Sequence, residues 1–428
     1  GPPERVDVWW GLPRTDGEEL AQFRPTWCSP SCDPGLQVTQ PYTVVSLSQE
    51  QYFVCPQKPS QKIWPFPLAS TDPAMPELLE TKQYQGARET TSTLRFNDGD
   101  TAHFITHYDD VLLTQLIDEV KNNTLSPLHK LQLLHEQTML ARGGVISTSR
   151  IIPLLGAYAN ETNESVWDII SVAIGELKKF VENDKEAETA LRTLAGKLAA
   201  VQYKRLGWAA VVGEPETDTK LRATILGLTI YSENPDAIAK AKAMFDASSL
   251  EAIDPELRPL IVSTVVRHSD DDQLVDALMK RHQATSSAEL QSDIAIGVTS
   301  TKNPIIIKYL LDAMKNSDVI RTQDVARWFV YFIRGRESRE LAWRWVRYNW
   351  SWIETTFGGD KSYDDYARYP ALGLVTRTQL DEYRAFFRPL KNVPALSRVI
   401  AIGISEIEGR VELIERDGDA VRSALRQL

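Results

Sequence analysis

Apolar and polar residues follow two different patterns along the 428-residue chain. Between about residue 42 and residue 108, short runs rich in β-branched and aromatic residues are separated by turn residues, which is typical of β-strands. The runs of strand length are residues 42–47, 51–54, 63–68, 93–96 and 102–106. These runs predict a small β-sandwich over residues 39–106.

One turn inside this β-rich segment, and the residues before the segment, can also be interpreted. The sequence Asn97-Asp98-Gly99-Asp100 lies between two of the runs and predicts the positive-φ positions of a hairpin turn. Residues 1–38, which contain many prolines and glycines, match neither pattern. They are either an irregular arm or the end of an upstream domain, and the local pattern does not decide between the two.

After residue 108 the apolar residues recur at helical spacing to the end of the sequence. Four helix starts are marked by a capping residue before a proline, where the missing N–H of proline costs nothing. These pairs are Ser126-Pro127, Asn234-Pro235, Asp254-Pro255 and Asn303-Pro304. Roughly sixteen helices without a strict repeat length are expected. We therefore predict a mainly α fold, with an irregular HEAT-like α-solenoid of stacked antiparallel helix pairs over residues 107–428.

The stretch at residues 341–358 is unusually rich in tryptophan. Its spacing predicts one amphipathic helix that carries Trp343, Trp345, Trp350 and Trp352. Trp343 and Trp350 are seven positions apart, so they lie on one face of such a helix and are expected to be buried together.

Composition and charge exclude several classes of protein. A hydrophobic content of 43% and a charged content of 25% exclude disorder and allow about two or three domains with buried cores. The net charge of −10 argues against a nucleic-acid partner, although arginines and aromatic residues interleave between residues 321 and 347. The longest apolar runs are too short to span a bilayer, and we expect a cytoplasmic protein.

The residues needed for zinc chemistry are missing from the sequence. A zinc peptidase helix carries two histidines one turn apart with a glutamate between them. The His-Glu pair in this chain is His135-Glu136, and position 139 is methionine. His103 and His107 have the right separation, but they lie in a run that reads as a strand, where positions four apart are about 13 Å apart. No metal site and no catalytic residue are predicted in this chain.

Cysteines and other motifs add no chemistry. The three cysteines, Cys28, Cys32 and Cys55, cannot form a complete set of disulfides. Cys28 and Cys32 are a surface disulfide or half of a metal site, and the lack of a second pair or a nearby histidine favours the former. The sequence also lacks a nucleophile elbow, a phosphate-binding loop and a dinucleotide-binding glycine motif.

Several segments, in the same order, resemble the region beyond the catalytic domain in the M1 family of zinc aminopeptidases, the aminopeptidase N group. The segment WPFPL at residues 64–68 resembles a strand of that family, and Phe96-Asn97 followed by ITHYDD at residues 105–110 resembles its junction between sandwich and helices. The family's Gly-Tyr pair is replaced here by Ala102-His103. The closing helices carry the matching residues Trp343, Arg347, Asn349 and Trp350.

The resemblance covers residues 39–428 and implies a function. The parent enzyme would remove N-terminal amino acids from peptides with a zinc-bound water, in a catalytic domain upstream in the same polypeptide. This chain would be the non-catalytic C-terminal region, inactive alone, and would act as a lid and substrate-access domain. His107 and Tyr108 match positions that face the substrate cavity, so we expect both to contact peptide substrate. The alternative is a free-standing helical-repeat scaffold that binds a protein or peptide on its concave face.

Overall fold

The structure, a computed structural model, describes residues 4–12, 19–22, 42–53, 61–89, 92–271 and 273–428. Cys28, Cys32 and Cys55, the subject of the disulfide and metal hypotheses, lie outside these residues. Within the described residues the fold is mainly helical, with strands confined to the N-terminal part, which confirms the predicted fold class.

The described residues of the N-terminal part form one large and one small β-sheet. Strands β1, β2, β3, β6 and β7 form a five-stranded sheet in the order β6-β3-β2-β1-β7, and β4 and β5 pair separately. β1 is parallel to β3 and antiparallel to β7. The strands are β1 (Glu4–Leu12), β2 (Glu19–Gln22), β3 (Tyr42–Phe53), β4 (Phe66–Pro67), β5 (Leu78–Leu79), β6 (Gln83–Glu89) and β7 (Phe104–Tyr108). A sandwich arrangement over residues 39–106 stays a prediction.

Two details of the sheet differ from the expected pattern. β1 and β2 lie within residues 1–38, for which no strands were predicted. The local pattern there is irregular, and besides pairing with each other both strands pair with β3, and β1 with β7, which are distant in the sequence. The predicted strand at residues 93–96 is not one. Leu94 and Phe96 are buried there, but the run forms no strand ladder: Arg95 bonds the backbone and the hydroxyl of Thr71, and the N–H of Phe96 bonds the hydroxyl of Tyr108. The turn that follows has the predicted positive φ at Asn97 and Gly99, although it joins no hairpin.

Seventeen α-helices follow in the described residues. They are α1 (Asp110–Lys121), α2 (Pro127–Arg142), α3 (Ile151–Gly156), α4 (Glu164–Lys178), α5 (Lys185–Leu206), α6 (Glu216–Tyr231), α7 (Pro235–Ala247), α8 (Arg258–Arg267), α9 (Gln273–Ala284), α10 (Ala288–Thr299), α11 (Pro304–Ala313), α12 (Val325–Arg334), α13 (Arg339–Tyr348), α14 (Trp350–Phe357), α15 (Asp365–Gly373), α16 (Arg377–Phe387) and α17 (Ser397–Arg426).

The predicted helix caps are present at three of the four positions. Ser126, Asn234 and Asn303 each accept a hydrogen bond from a backbone N–H in the first turn of the helix that begins with the following proline. Asp254 caps a turn by accepting from the N–H of Glu256, and α8 begins after that turn. Side-chain capping of the first-turn N–H groups therefore sets these boundaries.

The tryptophan-rich segment is two helices, so the prediction of a single helix was wrong. α13 ends and α14 begins at Asn349, whose φ of −105° and ψ of 16° lie outside the helical range. The side-chain amide of Asn349 donates to the carbonyl oxygen of Trp345 at 2.8 Å. An asparagine that bonds the backbone of the preceding turn in this way competes with continued helix formation.

The chain divides into two compact units. Unit 1 consists of Gly1–Lys178, Lys197–Arg205 and Asp417–Leu428, and within it β7 packs on α2 and α2 packs on α4. Unit 2 consists of Lys179–Gly196 and Leu206–Arg416, and within it α8, α10, α12 and α15 are successive neighbours. The domain boundary at residues 106 and 107 stays a prediction. No described helix is both long and apolar enough to cross a membrane.

Candidate functional site

The two residues predicted to contact substrate are the last two residues of β7. Asp109 follows them and caps α1 by accepting a hydrogen bond from the N–H of Leu112 at 2.9 Å. Adjacent residues of a strand point to opposite faces of the sheet, and the two side chains differ accordingly. Tyr108 is buried, whereas His107 is half-buried. The structure therefore does not bring these two side chains together on one face.

Tyr108 joins the sheet to the segment before the turn at residues 97–100. Its hydroxyl oxygen accepts a hydrogen bond from the backbone N–H of Phe96 at 3.0 Å. Burial raises the pKa of the Tyr108 phenol well above its usual value, and the nearby Glu136 carboxyl raises it further. The phenol is therefore a neutral, interior hydrogen-bonding group at physiological pH.

The turn itself is held by amide side chains. The side chain of Asn97, which is fully buried, donates to the carbonyl of Ala102 at 2.7 Å and accepts from its N–H at 2.8 Å. Gln132, on α2, donates to the carbonyl oxygen of Asn97 at 3.1 Å. These hydrogen bonds hold the turn to α2, and α2 packs on β7.

Glu136 lies one turn after Gln132 on α2 and is also buried. Burial raises the pKa of its carboxyl well above the usual value, and the charge of Asp100 acts in the same direction. Hydrogen bonds from the backbone of Thr106 and from the Gln132 amide partly oppose this shift. The sequence analysis considered Glu136 only as part of an incomplete zinc motif. Its spacing of four from Gln132, which places both on one helix face, was the signal for this polar cluster.

Hydrogen bonding is the chemistry that this junction can perform. Its buried groups are a phenol, two amides and a carboxyl whose pKa is raised, and none of these is arranged as a nucleophile with a base. In the part of the chain that the structure describes, no group of three or more His, Cys, Asp or Glu side chains could hold a metal ion. His103 is exposed and precedes β7 by one residue.

Trp343 and Arg347, two of the four matching residues in the tryptophan-rich segment, attach α13 to α16. Trp343 is fully buried, stacks on Tyr383 at a centroid distance of 5.8 Å, and donates its indole N–H to Glu382 at 3.0 Å. The guanidinium of Arg347 lies 4.9 Å from the centre of the Trp343 ring and 3.4 Å from the Glu382 carboxylate. These contacts give both residues a structural role within unit 2.

Trp350 and Asn349 complete this group. Trp350, at the start of α14, packs edge-on against Phe386 and Phe387, and Trp343 contacts the same two rings. Trp343 is fully buried and Trp350 is half-buried, so the two share a cluster although they belong to different helices. The side-chain oxygen of Asn349 accepts a hydrogen bond from Lys315 at 2.9 Å.

The chain is similar in sequence to a known domain family and to several aminopeptidases. The sequence profile of the ERAP1-like C-terminal domain matches residues 94–409. The chain is 33% identical to the aminopeptidase N of Lactococcus lactis subsp. lactis (strain IL1403), over 99% of this chain and 51% of that protein. It is 32% identical to the aminopeptidase N of Lactobacillus helveticus, over 98% of this chain and 50% of that protein. Aminopeptidase M1-B of Oryza sativa subsp. japonica is 23% identical, over 96% of this chain and 49% of that protein. The chain thus spans about half the length of the curated relatives it matches.

Proposed function

Because the chain belongs to the ERAP1-like C-terminal domain family as a C-terminal region of an M1 aminopeptidase, we propose that it is the lid and substrate-access region of a zinc-dependent aminopeptidase. In this proposal the parent enzyme hydrolyses N-terminal residues from peptides. The zinc ion and the catalytic residues belong to an upstream catalytic domain of the same polypeptide. The described residues of this chain contain no group that fits a zinc ion, so no step of the reaction is assigned to them.

The observation that carries the proposal is the hydrogen-bonded junction at the end of β7. Tyr108, Asn97 and Gln132 hold the turn and the sheet together through interior hydrogen bonds, while His107 keeps part of its surface exposed. A junction of this kind can limit the space for a peptide and hydrogen-bond its backbone without taking part in bond cleavage. His107 is therefore the residue that contacts peptide, and Tyr108 is a positioning residue.

The proposed domain arrangement is the one that the resemblance to the family implies. In the proposal, as the resemblance implies, residues 39–106 contribute a β-sandwich, and HEAT-like helix pairs within residues 107–428 bind the distal part of the peptide. The succession of neighbouring helices α8, α10, α12 and α15 within unit 2 supports such a stack.

The test compares short and long substrates in the complete polypeptide with zinc bound. His107→Ala is expected to raise KM about twofold to tenfold for a peptide of ten residues, the effect of losing one hydrogen bond, and to leave an aminoacyl anilide unchanged. Val172→Ser, at a half-exposed position on α4, serves as the control and should leave KM unchanged for both substrates.

Three outcomes would contradict the proposal. An equal change in KM for the two substrates would show that His107 does not contact the distal part of the peptide. Chelator-sensitive hydrolysis by this chain alone would show that it is not a non-catalytic region. A complete polypeptide without peptidase activity would favour the helical scaffold that binds a protein partner.

A further inference from the structure

The loop between α5 and α6 exposes apolar side chains to solvent. Residues 207–213, which we call the divaline loop, have the sequence Gly-Trp-Ala-Ala-Val-Val-Gly. Val211 is 69% exposed and Val212 is fully exposed, at 103%. Ala209 and Ala210 beside them are exposed as well. Valine is among the residues most often buried, so two adjacent exposed valines in a loop are a feature that needs an explanation.

The backbone of the loop tip is closed by a tight turn. The N–H of Glu214 donates to the carbonyl of Val211 at 3.0 Å, and the carboxylate of Glu214 accepts from the N–H of Val211, also at 3.0 Å. Gly213 has a φ of +84°, which a glycine adopts without strain at the third position of such a turn. Val212 precedes it at the tip. The turn thus presents the two valines in a defined geometry.

A buried arginine fixes both ends of the divaline loop. Arg222, on α6, is 3% exposed, and its guanidinium binds both carboxylate oxygens of Glu214 at 2.7 Å. Its Nε also donates to the carbonyl of Leu206, the residue before the loop, at 3.2 Å. Hydrogen bonds from Arg222 lower the pKa of Glu214 to about 2, so this carboxylate stays ionised at physiological pH. Little conformational entropy remains to be lost when the tip is covered by another surface, which favours binding.

We infer that the divaline loop docks into an apolar pocket on the part of the aminopeptidase polypeptide that lies outside this chain. The inference rests on the proposed function, because that function supplies the rest of the polypeptide. The relatives are about twice as long as the matched region, so half of their length is available as the partner surface.

The exposed patch is small, and its size favours a partner that is covalently connected to this chain. Two valines and two alanines offer on the order of 200–300 Å² of apolar surface, judged from the transfer energies of such side chains. A stable complex between separate proteins needs about 800 Å² on each partner. A patch this small is sufficient only where a covalent connection keeps the two surfaces at high effective concentration.

Carbene footprinting of side chains tests the inference directly. Labelling of Val211 and Val212 is measured in this chain alone and in the complete polypeptide. In the complete polypeptide we expect labelling of both valines to fall toward that of the buried Leu206, while labelling in this chain alone stays high. Equal labelling of the valines in the two proteins would overturn the inference.

The double substitution Val211→Ser/Val212→Ser gives a second readout. It is expected to lower the thermal midpoint of the complete polypeptide by about 2 °C and to leave that of this chain unchanged, because the side chains are already solvated in the chain. Val172→Ser, which also replaces an exposed valine, should shift both proteins equally. An equal shift of both proteins by the double substitution would mean that the valines have no partner in the polypeptide.

Other occupants and the proposed function itself give distinct results. A dimer of this chain that dissociates on Val211→Ser/Val212→Ser would assign the loop to a second copy, and loss of vesicle binding in the same variant would assign it to a lipid surface. Either result overturns the inference. If the complete polypeptide is an active peptidase with unprotected valines, the docking inference alone fails. If it has no peptidase activity, the proposed function fails.

Discussion

Replacing Trp343 by alanine is expected to destabilise unit 2 more than any other single change in the tryptophan-rich segment. The indole is fully buried and stacks on Tyr383, and its N–H donates to Glu382. Removing it leaves a cavity between α13 and α16 and leaves the half-buried Glu382 carboxylate without this donor. Arg347 loses the ring that its guanidinium covers.

The magnitude follows from these losses. Truncating a buried tryptophan costs about 3–5 kcal/mol, mostly from lost apolar burial and the residual cavity. Trp343→Phe retains much of the ring volume but loses the N–H donor, which costs about 1–2 kcal/mol. Trp350→Ala should cost less than Trp343→Ala, about 1–3 kcal/mol, because Trp350 is only half-buried against Phe386 and Phe387.

Urea denaturation followed by far-ultraviolet circular dichroism measures the three variants. The order of destabilisation Trp343→Ala, then Trp350→Ala and Trp343→Phe is the expected result. The surface variant Tyr348→Ala serves as the control, because Tyr348 is 83% exposed and its loss should change the free energy of unfolding by less than about 0.5 kcal/mol. If Trp343→Ala were as stable as this control, the reasoning from burial and stacking would be refuted.

Three further predictions concern buried polar groups of unit 1. Folding raises the pKa of Glu136, so its protonation stabilises the folded state fully below the ordinary pKa of 4.5, and this stabilisation is lost as pH rises through the folded pKa. Glu136→Gln should therefore make the free energy of unfolding, measured by urea titration at several pH values, fall less steeply as pH rises; the same dependence on pH in the variant would contradict this prediction. Tyr108→Phe removes the acceptor for the Phe96 N–H, so unfolding should become easier by about 1–3 kcal/mol and the Phe96 amide should exchange faster in NMR spectra; unaltered exchange would speak against this bond. Lys130→Met removes the ion-pair partner of the buried Glu161 carboxylate, which lies 2.8 Å away, and should lower the free energy of unfolding measured by calorimetry by about 3–5 kcal/mol. The double variant Lys130→Met/Glu161→Leu should recover most of this loss, and equal stability of the two variants would refute the reasoning.

The sequence predicted those parts of the fold that depend on neighbouring residues. Helical spacing after residue 108 and the capping side chains at Ser126, Asn234 and Asn303 are local signals, and the structure confirms them. The positive φ values at Asn97 and Gly99 are confirmed for the same reason, since those residue types tolerate that conformation.

Features that depend on distant partners were not predicted. β1 pairs with β7 through the register of Val6 with Tyr108, across about a hundred residues, and no local pattern reports such a pairing. The break at Asn349 depends on one side-chain hydrogen bond that competes with a helix otherwise favoured by its spacing. Burial of Glu136 follows from the packing of α2 on β7, so its raised pKa is a tertiary property.

That His107 and Tyr108 contact peptide stays a prediction, and the structure adds the geometry that the sequence analysis did not give. Both residues were expected to contact peptide because both match cavity positions of the family. Alternation along β7 places them on opposite faces, and the Tyr108 hydroxyl is already bonded to Phe96. The strand pattern of this run was visible in the sequence, so the separation of the two side chains was predictable in principle.

The position of β1 in the five-stranded sheet has a practical consequence for dissecting the protein. β1 pairs with both β3 and β7, so a version that starts at residue 39 would remove the strand that pairs with β7 and would free one edge of β3, which stays paired with β6. The freed edges would be open to pairing with other chains, which is a common route to aggregation. During synthesis the same arrangement makes β1 wait for β7, and sheets closed by such distant segments form slowly. Shortened versions for expression should therefore begin before Glu4.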